Sequence, residues 1–399
     1  MRRLSVVIAA ALLLITAPKP ADGQSTAPKL ADHMRETVVR APVTVELPSG
    51  RRYTGNMILT HFRPEGDGPF PIVIVNHGRV APDKRAEVPR YRLLALANYW
   101  IRRGFAVLVP TRLGYGETGQ AIDAELSGTC SAADYRPAVE AMVRHVAAAI
   151  ELARKEPWSD TSRIVVMGAS YGGFAAIAAN GRNLPGMIAA INFSGGMGGN
   201  PKLRPGRPCS ADRITQVAAE AGRTAKVPML WLYAENDLFW GSEWPRKWFG
   251  AYTGAGGRAE LKVFRPVDYD GHKLIEKGFG LWRPVVDRFM SALGFPPPGS
   301  ANAPEPSGYA GLEEAGKLPF VKDSVKLDGY RKFLNADLPR AFAIAPTGNW
   351  AWRSGGDAIE QALATCARLA KQDCSLYAVD DHVVWHPPGT DPQRSMGSQ

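Results

Sequence analysis

Four cysteines are few for a chain of 399 residues. Neither Cys130 and Cys209 nor Cys366 and Cys374 have the spacing of a zinc site. Three pairings are open to four cysteines. The chain's division into two parts, drawn below, favours Cys130–Cys209 and Cys366–Cys374. A long basic block is also missing. The formal charge of +10 comes from 48 Lys and Arg against 38 Asp and Glu, scattered along the sequence. Nucleic acid is therefore not an expected partner. Beyond the first residues no apolar run is long enough to span a bilayer. The one early run, Leu4 to Ile15, is too short to do so securely. It follows Arg2 and Arg3 and precedes the small residues of Ala21-Asp22-Gly23, as in a secretory signal cleaved before Gln24. Its loss would lower the formal charge to about +8. Export and paired cysteines agree with one another.

What is present is a regular alternation of strands and helices. Val43–Leu47 and Tyr53–Phe62 read as a hairpin, turned by Pro48-Ser49-Gly50. Pro71–Val75 and Phe105–Val109 are continuous apolar runs, as in strands covered on both faces. Helical spacing follows at Tyr91–Arg103 and Arg136–Lys155. Strands then alternate with helices through Met187–Phe193, Ala211–Gly222, Pro228–Tyr233, Glu243–Tyr252, Ala259–Phe264 and Gly280–Leu293. An initial hairpin followed by this alternation predicts an α/β fold with a mostly parallel sheet covered on both faces. Gly195–Arg207 has no regular period and reads as an insertion or lid. The expected division is a signal at 1–23, a catalytic domain at 24–294, a Pro-rich linker at 295–308 and a small α+β module at 309–399.

Arg163–Asn180, RIVVMGASYGGFAAIAAN, organises the rest. It reads strand, sharp turn, helix. Gly168-Ala169-Ser170-Tyr171-Gly172 fits G-x-S-x-G, which holds a serine hydroxyl exposed on a strained elbow. Ser170 is the candidate nucleophile. A serine needs a base and a carboxylate that orients it, and in this architecture both follow in chain order, acid before histidine. Asp237 follows the strand at Pro228–Tyr233. His272 follows the last strand and is the only histidine between Ser170 and the linker. Glu235 is the substitute acid. Backbone N–H groups of Tyr171 and Arg79 are the candidate oxyanion hole, the second from the loop Asn76-His77-Gly78-Arg79. His33, His61, His145, His382 and His386 read as structural. Gly114-Tyr115-Gly116-Glu117-Thr118-Gly119 fits G-x-G-x-x-G, but no helix opens there, so a dinucleotide site is not expected. Aromatics from Phe239 to Phe249 either line a pocket or pack the helix they belong to.

With these residues in place the chain resembles the α/β-hydrolase superfamily, in its dienelactone hydrolase and prolyl-oligopeptidase-like branch. The resemblance spans roughly Val43 to Leu293. It rests on Asn76-His77-Gly78, Arg112-Leu113-Gly114-Tyr115-Gly116, Gly168-Ala169-Ser170-Tyr171-Gly172, Asp237 and Gly271-His272. It implies a serine hydrolase with no metal or organic cofactor. Dienelactone hydrolases proper use a cysteine nucleophile; Ser170 points instead to an esterase or peptidase relative. No propeller domain is recognisable, which favours a small-molecule ester as substrate. A peptidase, or a binding protein on an inactive hydrolase fold, are the alternatives.

The last ninety residues read as a β-α-β unit stapled at its helix–strand corner by Cys366–Cys374. Trp350 and Trp352 admit either core packing or contact with a glycan, polymer or other cell-envelope partner. Asp380-Asp381-His382 lacks a second ligand group for a metal.

Overall fold

The computed structural model describes residues 30–31, 34–47, 49–119, 123–295, 304–336, 339–354 and 358–388. The expected signal segment, His33, Pro48 of the hairpin turn and linker residues 296–303 lie outside these. Two antiparallel strands, β1 (Thr37–Glu46) and β2 (Arg52–Phe62), open the fold. Six further strands complete one sheet: β3 (Phe70–Asn76), β4 (Ala106–Thr111), β5 (Ser159–Ala169), β6 (Met187–Phe193), β7 (Met229–Ala234) and β8 (Ala259–Phe264). Their order is β1-β2-β4-β3-β5-β6-β7-β8. The β2–β4 pair is antiparallel, and every pair from β4 onward is parallel. β1 starts six residues before the expected Val43. Its exposed residues, Arg40 among them, weaken the apolar signal, yet Thr37 pairs His61.

Alternation along the strands sends side chains to two cores. On β3, Ile72 and Ile74 face one core, whereas Val73 and Val75 face the other. The first core is covered by α2 (Arg136–Ala153), α3 (Tyr171–Gly181), α4 (Ala211–Thr224) and α5 (Glu243–Gly254). The second is covered by α1 (Leu94–Arg102) and, after the short α6 (Leu274–Lys277), by α7 (Phe279–Ala292). Each aliphatic side chain fully buried this way contributes about 1.5–3 kcal/mol. Cys130 and Cys209 are bonded, joining the approaches to α2 and α4.

The C-terminal module is a second, antiparallel sheet. β9 (Arg340–Ile344), β10 (Trp350–Ser354), β11 (Ser375–Val379) and β12 (His382–Val383) are ordered β10-β9-β11-β12. A π-helical turn at Val325–Gly329 leads into α8 (Tyr330–Leu334), which packs on one face. This segment has no clear periodicity and was not expected from sequence. α9 (Ala358–Ala370) packs on the other face, and Cys366–Cys374 ties it to β11.

The module is docked on the second face of the eight-stranded sheet. Arg283 of α7, fully buried, pairs with Asp381 and donates to the Ala336 carbonyl at 2.8 Å. Asn335 Oδ1 accepts from the Gly280 N–H at 3.2 Å. Arg340, itself buried, donates to the same Asp381 at 3.0 Å. The carboxylates of Asp380 and Asp381 are therefore spent on protein partners, with the Arg340 N–H on Asp380 Oδ1 at 2.9 Å. Among the described residues no helix is long and apolar enough to cross a membrane.

Candidate active site

β5 runs into α3 with one residue of strained backbone between them. Ser170 has φ of +57° and ψ of −124°, outside the regions open to most side chains. The two glycines of the motif make that turn possible. A methyl on Gly168 would lie 2.4 Å from the Gly172 carbonyl oxygen, and one on Gly172 would lie 2.1 Å from that of Asn76. The elbow is thus wedged against the end of β3 as well as folded on itself. The Asn76 amide donates to the Met167 carbonyl at 3.0 Å and locks the two strand ends together.

The acid and base expected from sequence meet. Asp237 is buried, and its Oδ2 lies 3.1 Å from His272 Nδ1. Its Oδ1 accepts the N–H groups of Phe239 at 2.8 Å and Trp240 at 3.1 Å. Glu235, the substitute acid, is exposed. The imidazole stacks on Phe239 at 3.9 Å between ring centres and meets the edge of Trp240 at 5.4 Å. Phe239 thus takes part in the site, whereas Trp240 and Trp248 are buried packing residues whose indole N–H groups bond the Ser194 and Ala211 carbonyls.

Two residues missed in the sequence stitch the acid loop to the base loop. Asp270 Oδ1 accepts the N–H of Leu238 at 3.0 Å and that of His272 at 2.9 Å. The Asn236 side chain accepts from Val267 N–H at 2.9 Å and donates to the Asp268 carbonyl at 3.1 Å. Gly271 has to be glycine here, since a methyl would fall 2.6 Å from Asn236 Oδ1. Asp270 therefore positions both loops rather than orienting the imidazole ring.

The loop after β3 is braced by a buried arginine. Arg112 donates to the His77 carbonyl at 2.7 Å and to the Gly78 carbonyl at 3.2 Å. Its Nε pairs with Glu125, whose other oxygen accepts from Tyr115 at 2.7 Å. Burial raises the Glu125 pKa, but the Arg112 charge, the hydrogen bonds from Arg112 and Tyr115 and the Arg79 charge together outweigh it and leave the carboxyl below its ordinary value. The His77 Nε2 accepts the Arg112 N–H at 3.2 Å, so its Nδ1 carries the proton that bonds the Gly78 carbonyl at 2.7 Å. Burial holds this ring neutral, with its pKa well below the ordinary value. Gly78 lies against the elbow: a methyl there would sit 3.3 Å from Ser170 Cβ. Beside it, Arg79 pairs with Asp123 at 3.0 Å and covers the Tyr171 ring at 5.5 Å.

Of the other histidines, His145 is buried and bonds the Ala141 carbonyl and the Leu113 N–H, which is a structural role. His382 Nε2 lies 3.1 Å from the Pro304 carbonyl oxygen. The glycine turn at 114–119 forms a short 3-10 turn at Gly116–Thr118 packed on Pro89, and no helix starts there.

Residues 94–191, from α1 through the elbow to β6, match the model of the prolyl oligopeptidase family. The sheet order, with the elbow at the end of β5, is that of an α/β-hydrolase fold. No curated protein matches it significantly. Among solved structures it is similar to the acylaminoacyl peptidase of Pyrococcus horikoshii. Identity is 15% and the TM-score 0.44, over 64% of this chain and 41% of that one. An acetyl xylan esterase from Paenibacillus sp. R4 is 18% identical with a TM-score of 0.43, over 65% of this chain and 89% of its own length. An esterase from Pyrococcus furiosus is 13% identical with a TM-score of 0.43, over 64% and 91%. The chain spans about two fifths of the acylaminoacyl peptidase's length.

Proposed function

We propose that this chain is an exported serine hydrolase that cleaves carboxylic esters through an acyl-enzyme on Ser170. The carrying observation is the buried Asp237–His272 hydrogen bond, on the loops that follow β7 and β8, in a fold whose β5–α3 elbow holds Ser170 at positive φ. With Nδ1–H donated to Asp237, Nε2 keeps its lone pair for the serine proton. Ser170 Oγ attacks the ester carbonyl while His272 takes its proton. The oxyanion is met by the N–H groups of Tyr171, at the start of α3, and Arg79. His272 then protonates the departing alkoxide, and water releases the acid by the same steps in reverse. No metal or organic cofactor enters. The paired cysteines support an oxidising location, periplasmic or extracellular.

Peptide-bond cleavage is the second reading, favoured by the family match. The same groups would serve it. The deciding experiment assays the chain from Gln24, and its Ser170→Ala variant, on nitrophenyl esters from acetate to octanoate and on peptide anilides. Ester hydrolysis that falls by about 10⁴-fold or more in the variant supports the proposal. Faster turnover of anilides than esters selects the peptidase. Equal activity in both proteins removes Ser170 from the mechanism.

A further inference from the structure

The imidazole of His272 stands in an aromatic corner that its pairing with Asp237 does not by itself require. Its ring lies face to face with Phe239, with 3.9 Å between centres and 23° between planes, and meets Trp240 at 5.4 Å and 74°. The N–H groups of Phe239 and Trp240 both bond Asp237 Oδ1, while Oδ2 faces His272 Nδ1. One carboxylate therefore fixes the imidazole and the start of both aromatic side chains. The Trp240 indole is tied further to the Ser194 carbonyl at 2.7 Å.

The segment at 195–207 reaches the same corner. A methyl on Gly199 would lie 2.9 Å from Phe239 Cβ and 2.5 Å from Trp240 Cζ3, so backbone packs directly on these two residues. The segment is pinned beyond that contact. The Gly206 N–H donates to the Leu238 carbonyl at 2.8 Å and the Cys209 N–H to the Gly198 carbonyl at 3.0 Å, and Cys209 is bonded to Cys130. Phe239 thus touches a tethered backbone as well as the imidazole.

A stacked ring does two things for a general base. It restricts the plane in which the imidazole lies, and it offers the electron-rich face of its π-system to the charge that the imidazole acquires. Once Nε2 has taken a proton the ring is a cation, and an aromatic face favours it by about three- to thirtyfold. The other ionisable groups around it are Asp237 at Nδ1, Asp270, which accepts the His272 N–H, and Lys273, whose ammonium lies over the Tyr269 ring.

We propose that Phe239 is a positioning residue for His272: its ring face sets the plane of the imidazole and stabilises the imidazolium formed during turnover, with Gly199 leaving the room that the ring needs. The role in turnover rests on the serine-hydrolase reading; the contact itself is measured without it.

The test uses the chain from Gln24, labelled with carbon-13 in its histidine rings, and His272→Gln to assign the His272 resonance. In the unaltered chain the His272 ring protons should resonate upfield, as protons over an aromatic face do. Phe239→Leu keeps an apolar side chain and removes that face. It should abolish the upfield displacement and lower the titration midpoint of His272 by about 0.5 pH or more, which is the threefold end of the range. On nitrophenyl acetate it should lower kcat by about threefold or more with KM unchanged. Phe239→Tyr, which restores a ring face, should recover all three. Gly199→Ala should displace the same resonance by crowding the ring. The proposal is overturned if Phe239→Leu leaves the midpoint or kcat where it was, or if Phe239→Tyr behaves as Phe239→Leu. An unmoved resonance in Gly199→Ala overturns the part given to Gly199. If the midpoint moves as expected but the unaltered chain turns over neither nitrophenyl esters nor peptide anilides, the contact stands and the hydrolase reading fails.

Discussion

Replacing Arg112 with methionine tests whether the oxyanion loop is held from below. The Gly78 carbonyl and the Arg79 N–H belong to one planar trans peptide and point in opposite directions. Pinning that carbonyl between Arg112 and His77 Nδ1–H therefore sets the direction of the N–H. Without the guanidinium, the His77 carbonyl loses its donor, the Gly78 carbonyl keeps only the His77 Nδ1–H, and Glu125 loses its strongest counter-charge. Orphaning a buried carboxylate costs about 3–5 kcal/mol. Glu125 keeps Tyr115 at 2.7 Å and has Arg79 at 3.9 Å, so the lower end applies. Misaligning one oxyanion donor lowers kcat by about 10²–10³-fold. The assay is kcat and KM on a short nitrophenyl ester together with the denaturant midpoint. A second variant separates the effects. Adding Glu125→Gln to Arg112→Met removes the orphaned charge and should restore much of the stability while leaving kcat low. If kcat recovers together with stability, or if Arg112→Met stays within threefold of wild type, Arg112 is a charge partner only and the reasoning fails.

Other outcomes follow from the same geometry. Asp237→Asn should keep the fold but present an amide N–H to His272 Nδ1, forcing the wrong tautomer and lowering kcat by about 10⁴-fold in steady-state assays. Asp270→Ala frees the base loop from the acid loop; a fall in kcat that the pH profile shows without displacement of the His272 limb is expected, and unchanged kcat would remove its positioning role. Burial pushes the His145 imidazole down to about 4. The unfolded chain thus binds the proton first as pH falls, so stability is complete above about 6.5 and drains away towards pH 4, by roughly 3 kcal/mol. Denaturant midpoints against pH should flatten in that window for His145→Gln. Finally, the Cys130–Cys209 bridge spans 79 residues and Cys366–Cys374 spans 8. On chain entropy their double serine variants should lose about 4.5 and about 2.6 kcal/mol respectively, and a reversed order in unfolding measurements would contradict that account.

The parts legible in the sequence are those whose cause is local or exclusive. The elbow is a matter of spacing, because only glycine tolerates a carbonyl oxygen 2.1 Å from where its Cβ would be. His272 was reached by elimination, and its pairing with Asp237 follows from the order of strands. The sheet was written in apolar runs, and the cysteine pairing in the division of the chain. Arg112, Asp270 and Arg283 were not legible as structural keystones. With 48 Lys and Arg in the chain, nothing beside Arg112 or Arg283 distinguishes a buried guanidinium from a solvated one. The partners that decide it, His77 and Asp381, stand 35 and 98 positions away. Asp270 stands two positions before His272, but its reach across to Leu238 depends on where two loops meet.

The way the C-terminal module is seated bears on how this protein can be taken apart. Arg283 is entirely inside, and its carboxylate partner Asp381 and carbonyl partner Ala336 both belong to the module. Cutting the chain after α7 would leave Arg283 with only Asp287, 3.8 Å away on its own helix, as counter-charge on a freshly bared apolar face, and would strand Asp381 on the other fragment. Deletion series and domain swaps that treat the tail as a cassette should therefore give aggregates rather than a smaller enzyme. Relatives that lack the module would be expected to carry a different residue where Arg283 stands.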